Sequence, residues 1–372
     1  MIRILHSVSN MDRAGAETML MNYYRNMDRE KVQYDFLCNK TKPGAYDEEI
    51  LSLGGKIYHT PGLNPLKYGA YLDYMKELFE EHPEYKVLEV HNGPLGVYAL
   101  HAAKKCGVPV RIFHAHGAKL TRDFKIVLKA FCKSRLAANL THRFTCGERA
   151  AAFYFGKKVA DSGDYELIRN AIAVDKFSFS LETRTRMRAA HGLTGKHVVG
   201  HVGRFMHEKN HPFLLDTFAK LKEIDDKAYL VLLGDGEFMQ DMQEKAKDLG
   251  IEDFVYFAGN VSNTDEWYQA FDCFVMPSHS EGLPMVGVEA QAADLPCLFS
   301  TGVSREMALL DRAYFLDLSR GEEAWANAIL KLLGQAEDRR DRSDDMKAVH
   351  YDIATEAKRL QERYIELAGG NQ

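Results

Sequence analysis

The chain has 372 residues, 46% of them apolar, which is long for one hydrophobic core and ample for two domains of ordinary size. With 48 basic residues against 53 acidic ones the net charge is −5, which excludes a protein that wraps nucleic acid by bulk electrostatics. Six cysteines, Cys38, Cys106, Cys132, Cys146, Cys273 and Cys297, form no C-x-x-C pair, so neither a zinc knuckle nor a disulfide framework is indicated and reduced thiols in a cytosol are expected.

The first half alternates strand and helix. Ile2 to Val8 reads as a strand at once, with no apolar leader before it, and no apolar run is long enough to span a bilayer. A helix from Gly15 to about Met27 follows, then strand Tyr34 to Cys38, helix Tyr46 to Ser52, strand Lys56 to Tyr58 and helix Tyr68 to Glu80. Strand Val87 to Val90, helix Leu95 to Cys106, strand Val110 to His114, helix Phe124 to Asn139 and strands Arg143 to Cys146 and Tyr165 to Ile168 complete it. The polar stretch from Asp175 to Gly195, carrying helix Glu182 to His191, reads as a linker or the lead into a second domain.

The rhythm restarts at His197 to Arg204, where a new sheet begins. Helix His211 to Leu221, strand Ala228 to Leu233, helix Glu237 to Leu249, strand Phe254 to Phe257 and helix Thr264 to Ala270 come next. Strand Cys273 to Met276, helix Pro284 to Ala293 and strand Pro296 to Ser300 follow, and the tail is helical over Glu322 to Gly334 and Asp341 to Leu367. Strands joined by helices at this spacing predict α/β architecture: two parallel sheets covered on both faces, with a cleft between them. The expected domains are 1–175, with helix 352–368 packed back on it, and 195–350.

Several strand ends carry chemistry. Glu281 and Glu289 have seven residues between them, one in a Gly- and Pro-marked turn and one on the helix after it. That helix offers backbone N–H groups from Gly282, Leu283, Pro284 and Met285, suited to phosphate oxygens or sugar hydroxyls. Ionised carboxylates only accept hydrogen bonds, so the pair can read a ribose diol and a sugar; the plain alternative is that Glu289 answers its own helix dipole and Glu281 is solvated. Gly203, Arg204 and Lys209 follow the first strand of the second half, a guanidinium fork and an ammonium suited to a diphosphate, or a solvated cationic loop. Gly234, in Gly234-Asp235-Gly236, is a place where backbone approaches a ligand or merely turns. Gly15 opens a helix after the first strand, though without G-x-G-x-x-G. His114 and His116 share one side of a persisting strand; a metal pair lacks a third ligand at motif spacing, and His116 reads better as a neutral donor or acceptor of hydrogen bonds. There is no Asp-x-Asp, P-loop or G-x-S-x-G.

In this order, Gly15-x-Glu17, His116-Gly117, Gly203-Arg204-x(4)-Lys209-Asn210, Gly234-Asp235-Gly236 and Glu281-x(7)-Glu289, the chain resembles the retaining nucleotide-sugar glycosyltransferases of the GT-B fold, family 4, over nearly its whole length. The resemblance implies two Rossmann-like domains, a C-terminal helix crossing back to the first, and metal-independent hexosyl transfer from a nucleotide-diphosphate sugar. A UDP-sugar is favoured over GDP- or ADP-sugars, and no cofactor is implied. It casts Arg204 and Lys209 on the diphosphate, Glu289 on the ribose and Glu281 near the donor sugar. The amides from Gly282 to Met285 fall around sugar and phosphate, Gly15 over the diphosphate, His116 at the sugar's C6 side, and Gly259, Asn260 and Val261 at the base. Many relatives carry two adjacent glycines in the first loop, where this chain has Ala14-Gly15-Ala16.

For the acceptor the resemblance implies a glycan or lipid-linked hydroxyl in capsule, exopolysaccharide or lipopolysaccharide assembly. Lys119, Arg122, Lys125, Lys129, Lys133 and Arg135, among Phe124, Ile126, Val127, Leu128 and Phe131, suit peripheral contact with the inner leaflet, or an ordinary surface helix. A nucleotide-sugar epimerase or hydrolase of the same fold, or a non-catalytic nucleotide-sugar binder, is the rival reading. Localisation is expected to be cytoplasmic, and the oligomeric state is left unassigned.

Overall fold

The computed structural model describes residues 1–62, 68–117 and 126–369. The chain divides into two compact units, one of Met1–Ala171 with Ile353–Gln372 and one of Ile172–Asp352. The first unit holds seven strands: β1 (Ile2–Val8), β2 (Val32–Cys38), β3 (Ile57–His59), β4 (Val87–Val90), β5 (Val110–Ala115), β6 (His142–Thr145) and β7 (Glu166–Leu167). They form one parallel sheet in the order β3-β2-β1-β4-β5-β6-β7. Every residue of β2 and β4 is buried, as a parallel sheet clad by helices on both faces requires.

The second unit repeats the plan with β8 (His197–Val202), β9 (Ala228–Leu233), β10 (Val255–Gly259), β11 (Cys273–Met276), β12 (Cys297–Ser300) and β13 (Ala313–Leu316). Their order, β10-β9-β8-β11-β12-β13, is the same as that of the first six strands. Both are doubly wound Rossmann-type sheets, in which the chain reverses direction across the sheet between the first and fourth strands. Loops leaving those two strands lie side by side, so the topology sets the ends of β1 and β4, and of β8 and β11, as places where a ligand is met.

Helix Ile353–Leu367 belongs to the first unit. Its buried residues Ile353, Ala357, Leu360 and Tyr364 recur at four-, three- and four-residue steps, one face of a helix, and join the core made by Tyr23, Tyr34, Phe36 and Phe144. Arg363 clasps Glu166 at 2.8 Å, and Gln361 Oε1 accepts the Asp28 amide at 2.7 Å.

Helix Leu181–Ala190 is bound into the second unit, where Arg184 and Arg188 both pair with Asp272. The structure adds edge strand β13 and the helices Glu148–Phe155 and Lys157–Ser162, separated by Gly156 at φ 91°. It also divides the helical tail into Ser343–Ala348 and Ile353–Leu367, with His350 between them at φ 66°. A non-glycine residue in the left-handed region cannot continue a right-handed helix.

Candidate active site

The loop after β8 is built from the inside. Phe205 is fully buried and stacks on His211 with ring centres 4.0 Å apart, which anchors the loop and leaves its neighbour Arg204 exposed. Asn210 turns the chain into helix His211–Ile224 at φ 58°, and its side chain donates to Pro277 O at 3.2 Å. His279 N donates to Glu208 O at 2.8 Å, a second tie between the loops after β8 and β11. A third brings two sequence-identified residues together: Lys209 Nζ lies 2.8 Å from Glu281 Oε1, both side chains largely buried.

Glu281 is itself held. Its amide donates to Gly302 O at 3.1 Å, and its carbonyl accepts from Ser304 N at 3.1 Å. Helix Met285–Ala292 starts directly after Pro284, so its first-turn amides have no partner within the helix. Pro284 has no N–H, which corrects the expectation of an unbroken run of donors from Gly282 to Met285.

Glu289 stands one turn along that helix and accepts from the buried Tyr268 hydroxyl at 2.9 Å. Burial pushes its carboxyl up to about 7, with the Tyr268 hydrogen bond pulling the other way. Tyr268, on helix Thr264–Ala270, carried no signal in the sequence beyond an aromatic at a core position. The buried Arg339 fastens the same two helices at their carboxyl ends, donating to Tyr268 O at 3.1 Å, Gln269 O at 3.2 Å, Phe271 O at 2.9 Å and Ala293 O at 2.6 Å.

Gly234 has a packing reason of its own. At φ 130° a Cβ there would lie 2.2 Å from Gly203 O, so the turns after β8 and β9 touch backbone to backbone. Gly234 N donates to Gly259 O at 2.8 Å, bringing the turn that leads to Asn260 and Val261 alongside. Gly203, Arg204, Lys209, Gly234, Gly259 and Glu281 thus gather at the carboxyl ends of β8, β9, β10 and β11, within one unit.

In the first unit, Gly15 begins helix Gly15–Asn26, and among the described residues a Cβ on it would meet nothing within 4 Å. His114 and His116 lie on and just after β5 with rings stacked at 4.2 Å and 19°. The structure supplies the third imidazole that motif spacing did not reveal: His91, just after β4, puts Nδ1 2.8 Å from His116 Nε2. Nitrogens of the three rings lie within 4.8 Å of one another. Their disposition suits hydrogen bonding better than chelation. Stacked rings direct their in-plane lone pairs side by side, and ligand nitrogens around a tetrahedral ion stand about 3.3 Å apart rather than at bonding distance. His6 on β1 extends the chain, its Nδ1 3.1 Å from His91 Nε2. Glu89 on β4 accepts from His114 at 2.8 Å and from the Tyr364 hydroxyl. Burial lowers His6 to about 4 and His114 to about 3, and holds His91 and His116 well below the usual imidazole range.

Residues 183–348 match the family model "Glycosyl transferases group 1", and residues 14–171 match "Glycosyl transferase 4-like domain". The chain is 38% identical over 336 residues, 88% of its own length and 87% of the other's, to the putative glycosyltransferase EpsF of Bacillus subtilis. It is a family 4, group 1 glycosyltransferase. A more distant glycosyltransferase relative is the capsular polysaccharide biosynthesis protein CapH of Staphylococcus aureus, 24% identical over 347 residues, covering 90% of this chain and 92% of that one. Among solved structures, Anabaena Alr3699/HepE in complex with UDP superposes with a TM-score of 0.81 at 15% identity, covering 98% of this chain and 100% of that one. The two Rossmann-like units are accordingly those of a GT-B glycosyltransferase.

Helix Ile126–Ser134 of this glycosyltransferase turns apolar side chains to solvent: Val127 is 79% exposed and Phe131 56%, with Ile126 beside them. Arg135 lies over the Phe131 ring, and Lys133 over Phe153. Lys119, Arg122, Phe124 and Lys125 fall outside the described residues. A cavity of about 260 Å³ on one flank is lined by Tyr68, Tyr98, His101, Phe131 and Arg135. Among the described residues no helix is long and apolar enough to cross a membrane.

Proposed function

We propose that this glycosyltransferase moves a hexosyl group from a UDP-sugar, with retention of anomeric configuration and without a metal, to a hydroxyl of a glycan or lipid-linked acceptor in surface polysaccharide assembly. The observation that carries this reading is the meeting of Lys209 and Glu281 beside the exposed Arg204, on loops after neighbouring strands. Two cations at one strand end suit a diphosphate, and a carboxylate beside them suits sugar hydroxyls. A diphosphate oxygen competing for the Lys209 ammonium would release the Glu281 carboxylate to the sugar.

In this reading the second unit takes the donor. Glu289 accepts from the ribose hydroxyls, and the amides of Gly282, Leu283 and Met285 serve the phosphate and sugar. The backbone at Gly203 and Gly234 lines the diphosphate, and Gly259, Asn260 and Val261 meet the base. In the first unit Gly15 is assigned to the diphosphate and His116 to the transferred sugar. The acceptor oxygen bonds to the anomeric carbon on the face from which the diphosphate departs. As the bond between that carbon and the diphosphate oxygen breaks, its electron pair leaves with the diphosphate and the acceptor's proton passes to a phosphate oxygen. Negative charge grows on the leaving diphosphate, so Arg204 and Lys209 do most to lower the barrier.

Support for the biology comes from the capsule protein named above and from the UDP complex. Ile126, Val127 and Phe131 flanked by Lys129, Lys133 and Arg135 support peripheral contact of the first unit with an anionic leaflet on the cytoplasmic side, where lipid-linked acceptors are held. The test is the anomeric proton of the product by NMR, with the linkage expected to keep the donor's configuration. An inverted product would remove the front-face mechanism.

A further inference from the structure

We propose that His6 and His91 are positioning residues that lock His116 as its Nδ1–H tautomer, so that the ring can only donate a hydrogen bond from its remaining nitrogen. This rests on the assignment of His116 to the transferred sugar. The three imidazoles come from adjacent strands, β1, β4 and β5, and form a continuous chain: His6 Nδ1 to His91 Nε2 at 3.1 Å and His91 Nδ1 to His116 Nε2 at 2.8 Å. Each contact needs one N–H and one lone pair. Burial keeps the rings neutral, so each carries a single proton.

Only two proton arrangements satisfy both contacts. Either all three rings are Nε2–H, with donation running from His116 toward His6, or all three are Nδ1–H, with donation running from His6 toward His116. The atom that decides between them is His6 Nε2, which is buried and has no hydrogen-bond partner among the described residues. The first arrangement strands an N–H there, and the second leaves a bare lone pair; unpaired buried donors are the rarer and costlier defect. His114 shows the same preference nearby. Its Nδ1 donates to Glu89 Oε1 at 2.8 Å, leaving a buried Nε2 with no partner among the described residues. Glu89 Oε1 stands 3.5 Å from His91 Nε2, too far to claim that nitrogen from His6.

His6 therefore donates to His91 and His91 to His116, which is left with Nδ1–H. A ring so fixed cannot take a proton there. It can donate to a sugar hydroxyl or to an oxygen gaining negative charge, which agrees with a mechanism that sends the acceptor's proton to phosphate instead.

Imidazole ¹⁵N spectra of the full chain labelled at histidine, assigned with single histidine variants, read the tautomers directly. All three rings are expected as Nδ1–H; any of them found as Nε2–H overturns the proposal. Turnover is then read as nucleotide release from the fastest donor among UDP-glucose, UDP-galactose, UDP-N-acetylglucosamine and GDP-mannose. His6→Phe removes the first N–H and should lower kcat about fivefold with the donor KM unchanged, whereas His6→Asn, whose amide can stand in for Nδ1–H, should restore it. A His6→Phe enzyme with wild-type kcat would end the proposal, whether its melting temperature falls, as for a purely structural chain, or stays unaltered. If His116→Ala turns over like wild type, the assignment of His116 fails instead, and that failure is distinguishable because the spectra do not depend on it.

Discussion

Replacing Tyr268 by phenylalanine removes one hydroxyl and tests how Glu289, the carboxylate proposed to hold the ribose, is kept ready. Burial pushes Glu289 up to about 7 and the Tyr268 hydrogen bond opposes that rise, so its loss must raise the value further. A hydrogen bond to a charged group contributes about 1.5 kcal/mol, or about one pH unit. If only ionised Glu289 accepts from ribose, apparent affinity falls by one plus the ratio of protonated to ionised carboxyl. At pH 7 that factor is about 2 for a pKa of about 7 and about 11 for a pKa of about 8, so UDP should bind the variant about fivefold more weakly. The ratio of dissociation constants should grow to about ninefold at pH 6 and approach one at pH 9. Isothermal titration with UDP across this range measures it. A ratio that stays constant with pH would refute the reasoning, because the hydroxyl would then be acting through packing alone.

Three further outcomes are expected. Arg204→Ala should lower kcat by about 10²–10³ while leaving the fold intact, since the side chain is exposed; steady-state nucleotide release and thermal unfolding check the two halves of that statement. Arg339→Met strands the carbonyls of Tyr268, Gln269, Phe271 and Ala293 in a buried site, and should destabilise by about 3 kcal/mol or more, seen as a fall of roughly 6–12 °C in Tm. Val127→Asp with Phe131→Asp should cut co-sedimentation with phosphatidylglycerol vesicles about tenfold or more and leave UDP binding unchanged.

Much of the fold was legible because local signals bound each element. Strands Ala228–Leu233 and Cys273–Met276 are short apolar runs closed by turn residues, Val87–Val90 is such a run but for Glu89, and all three match the expected limits to the residue. Ala313–Leu316 escaped notice because an edge strand is only half buried and its Tyr314 is exposed, so no continuous apolar run announces it. The break at His350 needs a left-handed residue that composition does not reveal.

At the site, residues grouped by motif were readable, and their partners were not. Lys209 and Glu281 stand 72 positions apart and were read as separate ligands of one molecule; that they meet follows from β8 and β11 being neighbours in the sheet. Tyr268, Arg339, His6 and His91 act through contacts with residues distant in sequence, or with carbonyls that every residue has, so nothing in their own surroundings marks them. Pro284 shows the reverse: its missing N–H was in the sequence, and the helix start at Met285 made the consequence plain.

The most direct measurement is a crystal structure of the protein with UDP. The β-phosphate is expected within hydrogen-bonding distance of the Arg204 guanidinium and Lys209 Nζ, with both ribose hydroxyls on Glu289. A diphosphate bound away from residues 204 and 209 would contradict the account.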